Sequence, residues 1–254
     1  MKQTALLFVA LLALVGAYFV YTTLRPAEEA SAPISALPLQ SSATAATSVE
    51  ESAEAAMAET PQAAVPTAEG EATNEPEAVI YEIDPQSSTV SFTIDEVLNG
   101  APKTVVGTTD QVAGQILLNL SDPSKSEVGV IQVNARTFVT DNNNRNNAIK
   151  NRILSTNDYE FLTLTPTRLD GLPAAINNDD SYRFTLTGDL TIRDITRETV
   201  WEVTVTPSAQ GQLIGTASTT VVYADWNIAI PSVPAVASVE DTVLLQIDFT
   251  ANPV

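Results

Sequence analysis

The chain has 254 residues and a formal net charge of −19, and it contains neither cysteine nor histidine. The lack of cysteine excludes disulfides, thiolate metal sites and cysteine nucleophiles, and the lack of histidine excludes histidine zinc sites and Ser-His-Asp triads. The acidic balance argues against nucleic-acid binding, which needs clustered Lys and Arg. We expect no cofactor and no metal.

Residues 5–24, ALLFVALLALVGAYFVYTTL, are uncharged and mostly apolar. About 20 such residues in a helix span a bilayer core of roughly 30 Å. We therefore predict an N-terminal membrane anchor over residues 1–25, and Lys2 ahead of it favours a C-terminal domain outside the cytoplasm. The alternative is a cleaved signal peptide, which would leave the protein periplasmic or secreted.

Residues 26–78 are rich in Ala, Glu, Ser, Thr and Pro and contain no Lys or Arg. Few large apolar side chains are present to offset the entropy cost of ordering such a segment. We predict a disordered acidic linker that, as a coil, reaches roughly 40 Å. The alternative is an acidic interaction segment.

From residue 79 to residue 254, apolar and polar residues alternate in short runs separated by Gly, Pro, Asn and Asp. The clearest run is YRFTLTGDLTI, residues 182–192, in which the apolar side chains fall on even positions. Alternation with period two indicates strands with one dry and one wet face. Eight or so strands predict an all-β sandwich or a closed antiparallel barrel, whose interior is either filled by side chains or holds one apolar ligand.

One segment breaks this alternation. Residues 140–147 are polar, and Ala148, Ile149, Ile153 and Leu154 then follow at helical spacing. We predict a short amphipathic helix from Asn144 to Leu154, capped by an Asn or Asp side chain and covering one end of the sheet.

Candidate catalytic and metal sites are weak. The Asn-rich stretch from Asp141 fails the calcium-loop pattern, since Asn146 and Arg152 stand where that loop needs Gly and Glu. The carboxylates Asp189, Asp194 and Glu198 fit solvated positions on a strand and its turn better than paired catalytic acids. We therefore expect a protein that is not an enzyme.

Four segments together resemble the YceI-like family of polyisoprenoid-binding proteins. They are YEIDPQSSTVSFTI (81–94), SDPSKSEVGVIQVNARTFVTDNNNRNNAIKNRIL (121–154), GDLTIRDITR (188–197) and VEDTVLLQIDFTA (239–251). They occur in the family order and cover essentially all of residues 79–254. The resemblance implies an eight-stranded antiparallel, lipocalin-like barrel with one short helix, which holds a long isoprenoid chain and is exported.

This chain departs from the family pattern at four places. Gln86 and Ser87 stand near a frequent histidine, Arg145-Asn146 replaces Arg-Asp, Arg193-Asp194 replaces His-Gly, and Trp226-Asn227 stands for Phe-Gly. These departures leave the barrel intact and leave the identity of the lipid open.

The leading hypothesis is a membrane-tethered protein that holds a polyprenyl or quinone-like lipid in its barrel for sequestration or transport. The alternative is an envelope or stress-response interaction protein with a filled barrel. Inward-facing apolar residues are the candidate ligand contacts: Phe92, Ile94, Ile131, Val133, Ile149, Ile153, Leu162, Leu164, Phe184, Leu186, Leu190, Ile192, Val203, Trp226 and Phe249.

Overall fold

A computed structural model describes residues 28–39, 78–234 and 236–254. These residues form an all-β domain with one short α-helix, as predicted. The strands are β1 (Ala78–Ile83), β2 (Thr89–Leu98), β3 (Ala101–Thr109), β4 (Val112–Ala113), β5 (Gln115–Asn119), β6 (Glu127–Val128), β7 (Ile131–Asn134), β8 (Phe161–Asp170), β9 (Tyr182–Ile192), β10 (Ile195–Pro207), β11 (Leu213–Val222), β12 (Val236–Val239) and β13 (Thr242–Pro253).

All strands belong to one antiparallel sheet with the order β4-β7-β8-β9-β10-β11-β13-β1-β5-β6, and β2 pairs with β13, β3 and β12. β4 lies at one end of this order and β5 next to the other end, yet only Gly114 separates them along the chain. The sheet must therefore curl round into a half-barrel, with one face turned inward. We call this inward side the interior.

The prediction of eight strands is wrong, because the described residues form thirteen. β3, β4 and β5 follow one another with breaks of only two residues and one residue, so they are pieces of one bent run of chain. A 3-10 turn, Pro85–Ser87, likewise separates β1 from β2. Alternation along a sequence shows which face a side chain takes, but it does not show where a strand bends.

The even residues of β9 face the interior, as the alternation predicts: Leu186, Leu190 and Ile192 are buried. Thr187 is an exception on the odd side, because the neighbouring strand covers it and Arg168 donates a hydrogen bond to its hydroxyl group (3.3 Å). A Cβ added to Gly188 would lie 2.9 Å from the carbonyl oxygen of Thr165. Glycine is therefore required here by the close approach of β8.

The helix α1 spans Asn143–Ala148 and continues as a π-helix over Ile149–Ile153, so its position agrees with the prediction. The side chain of Asn142 caps it by accepting hydrogen bonds from the backbone N–H groups of Asn144 and Arg145. The wider π-helical turn was not predicted.

We call the two openings of the curled sheet the helix end and the loop end. The helix end contains residues 134–160, which include α1, together with the β9–β10 turn and the 3-10 turn Tyr223–Trp226. The loop end contains the β8–β9 loop, residues 171–181, together with the β10–β11 turn and residues 120–126. A cluster of buried apolar side chains fills much of the interior between the two ends.

The predicted anchor, residues 5–24, and most of the predicted linker lie outside the described residues. Part of the predicted linker, residues 28–39, is described, and it lies in irregular conformation against the domain. Over the described ranges, no helix is both long enough and apolar enough to cross a membrane.

Candidate functional site

The larger cavity lies in the interior at the loop end and has a volume of about 80 Å³. Ser126, Glu127 and Tyr182 are the lining residues with polar side chains, yet the wall of the cavity is almost wholly apolar. The other lining residues are apolar: Ile83, Ile116, Leu118, Val128, Ile131, Leu169, Leu172, Pro173, Ile176, Phe184, Leu186, Val203, Val205, Pro207, Leu213, Ala217, Ile247 and Phe249. Such a surface suits a hydrocarbon chain and offers few hydrogen bonds to a polar ligand.

A second cavity, of about 50 Å³, lies further toward the helix end. Its apolar lining residues are Val90, Ile131, Val133, Phe138, Leu162, Leu164, Leu190, Trp201, Leu245 and Ile247. The indole N–H of Trp201 donates to the hydroxyl group of Thr199 (2.9 Å), which donates to the carbonyl oxygen of Gly188 (3.1 Å). Because the protein itself satisfies these buried polar groups, the cavity wall remains apolar.

Ile131 on β7 and Ile247 on β13 line both cavities. Both side chains are buried, with exposed fractions of 8% and 4%. They therefore form a partition between the loop-end cavity and the second cavity. Isoleucine side chains change position by rotating about χ angles, so this partition is made of movable atoms rather than backbone.

The β8–β9 loop covers the larger cavity with Leu172, Pro173 and Ile176. Its far side is fastened by Asp179, whose N–H donates to the carbonyl oxygen of Pro207 (2.6 Å) and whose carboxylate accepts from the N–H of Ala209 (3.2 Å). Gly171 begins the loop with φ near +83°, a conformation that favours glycine. The loop is thus held at its two sides and contributes apolar cover in between.

The helix end is closed by charged side chains instead. Arg136, whose side chain is 10% exposed, pairs with Glu160 at 3.0 Å, and the Glu160 side chain is 12% exposed. Burial by itself raises the pKa of Glu160, but hydrogen bonds from Ser31 and Asn134 and the charge of Arg136 outweigh it and lower that pKa below its ordinary value. Glu160 is therefore ionised at neutral pH.

A second set of charges fixes α1 to the β2–β3 hairpin. Arg145 on α1 pairs with Glu96 on β2 at 2.7 Å and also with Asp141. Asp141 in turn accepts a hydrogen bond from Lys103 on β3 (2.5 Å). Arg145, which stands at the arginine of the family's Arg-Asp pair, therefore has a structural role in this chain, because it holds the helix over the sheet.

Nine of the fifteen predicted contact residues line a cavity. Phe184, Leu186, Val203 and Phe249 line the larger one, and Val133, Leu162, Leu164 and Leu190 line the second. Ile131 lines both. The structure thus brings these residues together in one continuous region of the interior.

The other six do not line either cavity: Phe92, Ile94, Ile149, Ile153, Ile192 and Trp226. They lie toward the helix end, where the interior is filled. Trp226 is 2% exposed and donates its indole N–H to the carbonyl oxygen of Leu190 (3.2 Å). The ring of Phe92 packs against Phe138, with centroids 5.5 Å apart. Alternation predicted an inward direction for the three strand residues and helical spacing did so for Ile149 and Ile153, but neither shows which side chains fill the space.

The β8–β9 loop was missed as part of the site. Leu172, Pro173 and Ile176 lie in no periodic pattern, and the sequence analysis followed periodicity. The signal that was available is compositional, because the loop begins with the apolar run LPAAI, residues 172–176, ahead of Asn and Asp, and such a run needs a surface to cover.

The four places where the chain departs from the family pattern lie outside both cavity linings. Asp84 caps the turn that contains Gln86 and Ser87 by accepting from both residues (2.9 Å each). Arg193 is the first residue of the β9–β10 turn, with φ near 60°, and Asn227 follows the 3-10 turn with φ near 51°. Three of the four places thus shape a turn in this chain, and the fourth, Arg145-Asn146, lies in α1.

The carboxylates considered as catalytic candidates do not converge on a cavity. Asp194 and Glu198 are exposed, and Asp189 lies on the outer face of β9. In the described part of the chain, no group of three or more acidic, Cys or His residues is placed to hold a metal ion.

Comparison with protein families decides the relationship. The model of the YceI-like domain matches residues 81–251. The chain belongs to the YceI-like family. That match spans β1 to β13, so both cavities of this YceI-like domain lie within the part that the family shares. Among curated proteins, none matches the sequence.

Two solved structures share the fold. A polyisoprenoid binding domain from Saccharophagus degradans, implicated in plant cell wall breakdown, superposes with a TM-score of 0.55 at 11% identity; the match covers 69% of this chain and 99% of that domain. BcnA from Burkholderia cenocepacia superposes with a TM-score of 0.53 at 16% identity, covering 67% of this chain and 99% of BcnA. Because both identities are low, these likenesses show the fold alone.

Proposed function

We propose that this YceI-like domain binds the hydrocarbon chain of an isoprenoid-type lipid, polyprenyl or quinone-like, in the interior of its curled sheet. The observation that carries the proposal is the apolar cavity at the loop end, which a second apolar cavity continues on the far side of Ile131 and Ile247. Each buried CH₂ group of a ligand contributes about 0.8 kcal/mol before ordering costs are subtracted. The polyisoprenoid-binding neighbour supports the choice of ligand class.

The cavity volumes set a condition on this function. At about 80 and 50 Å³, each cavity is smaller than the roughly 150 Å³ cavity that accepts benzene in another protein. A long chain therefore needs the interior to expand. The movable parts are the partition, Ile131 and Ile247, and the cover formed by the β8–β9 loop.

The test is organic extraction of the purified full chain, followed by mass spectrometry and by titration with a polyprenyl phosphate or a quinone. We expect a lipid at close to one equivalent per chain. Ala217→Phe places a ring in the larger cavity and is expected to lower the lipid content, whereas Ala209→Phe changes an exposed turn and is expected to leave it unchanged. Empty protein that takes up neither added lipid contradicts the proposal.

A second candidate function is favoured by the same small volumes. If the interior stays filled, the domain acts through its surface as an envelope or stress-response interaction protein. The extraction separates the two candidates, because a surface-acting protein yields no lipid and its partner binding is insensitive to Ala217→Phe.

We further propose that residues 5–24 anchor the chain in the membrane and that the domain lies outside the cytoplasm. The apolar, uncharged stretch supports this placement. The intact mass of the mature protein tests it: a mass that lacks the first residues shows cleavage and a periplasmic or secreted protein instead.

A further inference from the structure

The first described segment, residues 28–39, is held against the domain by paired polar groups at its start. The carboxylate of Glu28 lies 3.1 Å from Arg136, and the N–H of Glu28 donates to the side chain of Asn157 (3.0 Å). Arg136 also donates to the carbonyl oxygen of Glu29 (3.2 Å). The N–H of Ser31 donates to Glu160 (2.8 Å). The domain thus binds both backbone and side chain of this segment.

Its other end is held at the start of β5 and at the connection between β6 and β7. The N–H of Leu39 donates to the side chain of Gln115 (3.0 Å), which itself donates to Glu82 (3.2 Å). The Leu39 side chain packs on Gly129 so closely that a Cβ there would lie 3.0 Å from its methyl carbon. The segment therefore crosses the outer surface from the helix end to β5.

The composition of the segment suits this contact and differs from that of the acidic residues after Leu39. Ile34, Leu37 and Leu39 supply aliphatic side chains, and Ile34 and Leu39 are partly buried. Pro33 and Pro38 fix their own φ angles and restrict the residues before them to extended conformations. This restriction lowers the entropy that is lost when the segment is bound.

We infer that residues 28–39 are a docking segment for which the domain carries a dedicated surface, built from Arg136, Asn157, Glu160, Gln115 and Gly129, and that docking shortens the tether to the membrane. The inference rests on the proposed anchor at residues 5–24. With Glu28 docked, only residues 25–27 separate the domain from the end of the anchor, which allows about 14 Å at full extension. With the segment released, residues 26–77 as a coil allow roughly 40 Å.

Docking in one chain requires little intrinsic affinity. A segment that is joined to its surface by a coil, as the composition predicts for residues 40–77, is present at an effective concentration in the millimolar range. Docked and released forms can therefore exchange. In the docked form the helix end is drawn toward the bilayer, and in the released form the domain reaches further from it.

Hydrogen exchange on the full chain in nanodiscs tests the docking. The amides of Glu28, Ser31 and Leu39 are expected to exchange at least roughly tenfold more slowly than in a free peptide of residues 26–42. Ser31→Pro removes one donor without changing the domain and is expected to abolish this protection. Glu28→Gln and Glu29→Gln remove the same charge, but only Glu28→Gln is expected to speed exchange, since the Glu29 side chain is exposed.

Energy transfer tests the tether. The chain has no cysteine, so Asn143→Cys at the helix end takes a single donor dye, with acceptors in the lipid headgroups. Ser31→Pro is expected to move the donor away from the bilayer by up to roughly 25 Å. Unprotected amides in the wild type overturn the docking, and an unchanged distance overturns the tether. Intact mass and lipid extraction from the same samples report separately on anchor cleavage and on lipid binding.

Discussion

The helix end and the loop end close the same interior with opposite chemistry. At the helix end, Arg136 and Arg145 are held by carboxylates on neighbouring elements, and aromatic side chains fill the space beneath. At the loop end, Leu172, Pro173 and Ile176 lie over a cavity. A buried ion pair costs several kcal/mol to break, whereas an apolar loop opens at the cost of its contact area. For the proposed lipid binding, the difference favours entry of the hydrocarbon chain at the loop end, with the helix end remaining closed.

The largest effect is expected from Arg136→Ala. It leaves the buried carboxylate of Glu160 without its cation, so the free energy of unfolding should fall by about 3 kcal/mol in urea titrations. Lys125→Ala is the matched control, because its pair with Asp122 is exposed and should contribute far less. Equal losses of unfolding free energy in the two variants would contradict the view that the buried ion pair stabilises the helix end.

Ile247→Ala tests the partition between the two cavities. Removing this buried side chain should cost about 2–4 kcal/mol of stability and join the cavities into one. We expect the variant to bind longer chains relative to shorter ones than the wild type does, measured by titration with a series of prenyl alcohols. Ile214→Ala on the outer face, where Ile214 is 48% exposed, should change neither property.

Acid should loosen the helix end before the loop end. The folded-state pKa of Glu160 is lowered, so its stabilising contribution is present above the ordinary glutamate value of about 4.3 and is lost as the pH falls through the lower, folded value. The groups facing it are Arg136, Asn134 and Ser31, with Glu28 on the other side of Arg136.

The measurement is the free energy of unfolding between pH 6 and pH 3, together with the protection of the Ser31 amide against hydrogen exchange. Both should decline less steeply in Glu160→Gln, which has no proton to gain at this position. A parallel decline in the wild type and in this variant would assign the acid sensitivity to other carboxylates.

The smallest effect on stability is expected from Ile176→Ser in the loop cover. Ile176 is only partly buried, so the cost should be under about 1 kcal/mol. Uptake of an apolar fluorescent probe should nevertheless become severalfold faster in stopped-flow measurements, because the cover loses contact area. Unchanged uptake by Ile176→Ser, together with faster uptake by a variant near α1, would place ligand entry at the helix end instead of the loop end.

The inward-facing residues could largely be predicted from the sequence, whereas the position of the cavities could not. Alternation placed Leu186, Leu190 and Val203 on the inward face, and helical spacing placed Ile149 under a helix. Both follow from local geometry. Cavity position depends on which inward side chains fill the space between distant strands, so the sequence could not show that the predicted contact Trp226 lies outside both cavity linings.

The charged closure was missed for the same reason. Arg136, Glu160 and Glu28 are far apart in sequence, and no local pattern links them. The docking segment was assigned to the linker on composition, although Ile34, Leu37 and Leu39 set it apart from residues 40–77, which contain no Leu or Ile. A composition averaged over the whole of residues 26–78 conceals a short segment of different character.

The placement of the two tryptophans has an optical consequence. The chain contains only Trp201 and Trp226, and the first borders the second cavity while the second is packed away from it. A hydrocarbon ligand that extends past Ile131 and Ile247 into the second cavity would change the surroundings of the Trp201 indole and leave those of Trp226 unchanged. The emission spectrum of the unmodified protein therefore carries both a signal and its own internal reference for how deep a ligand has gone.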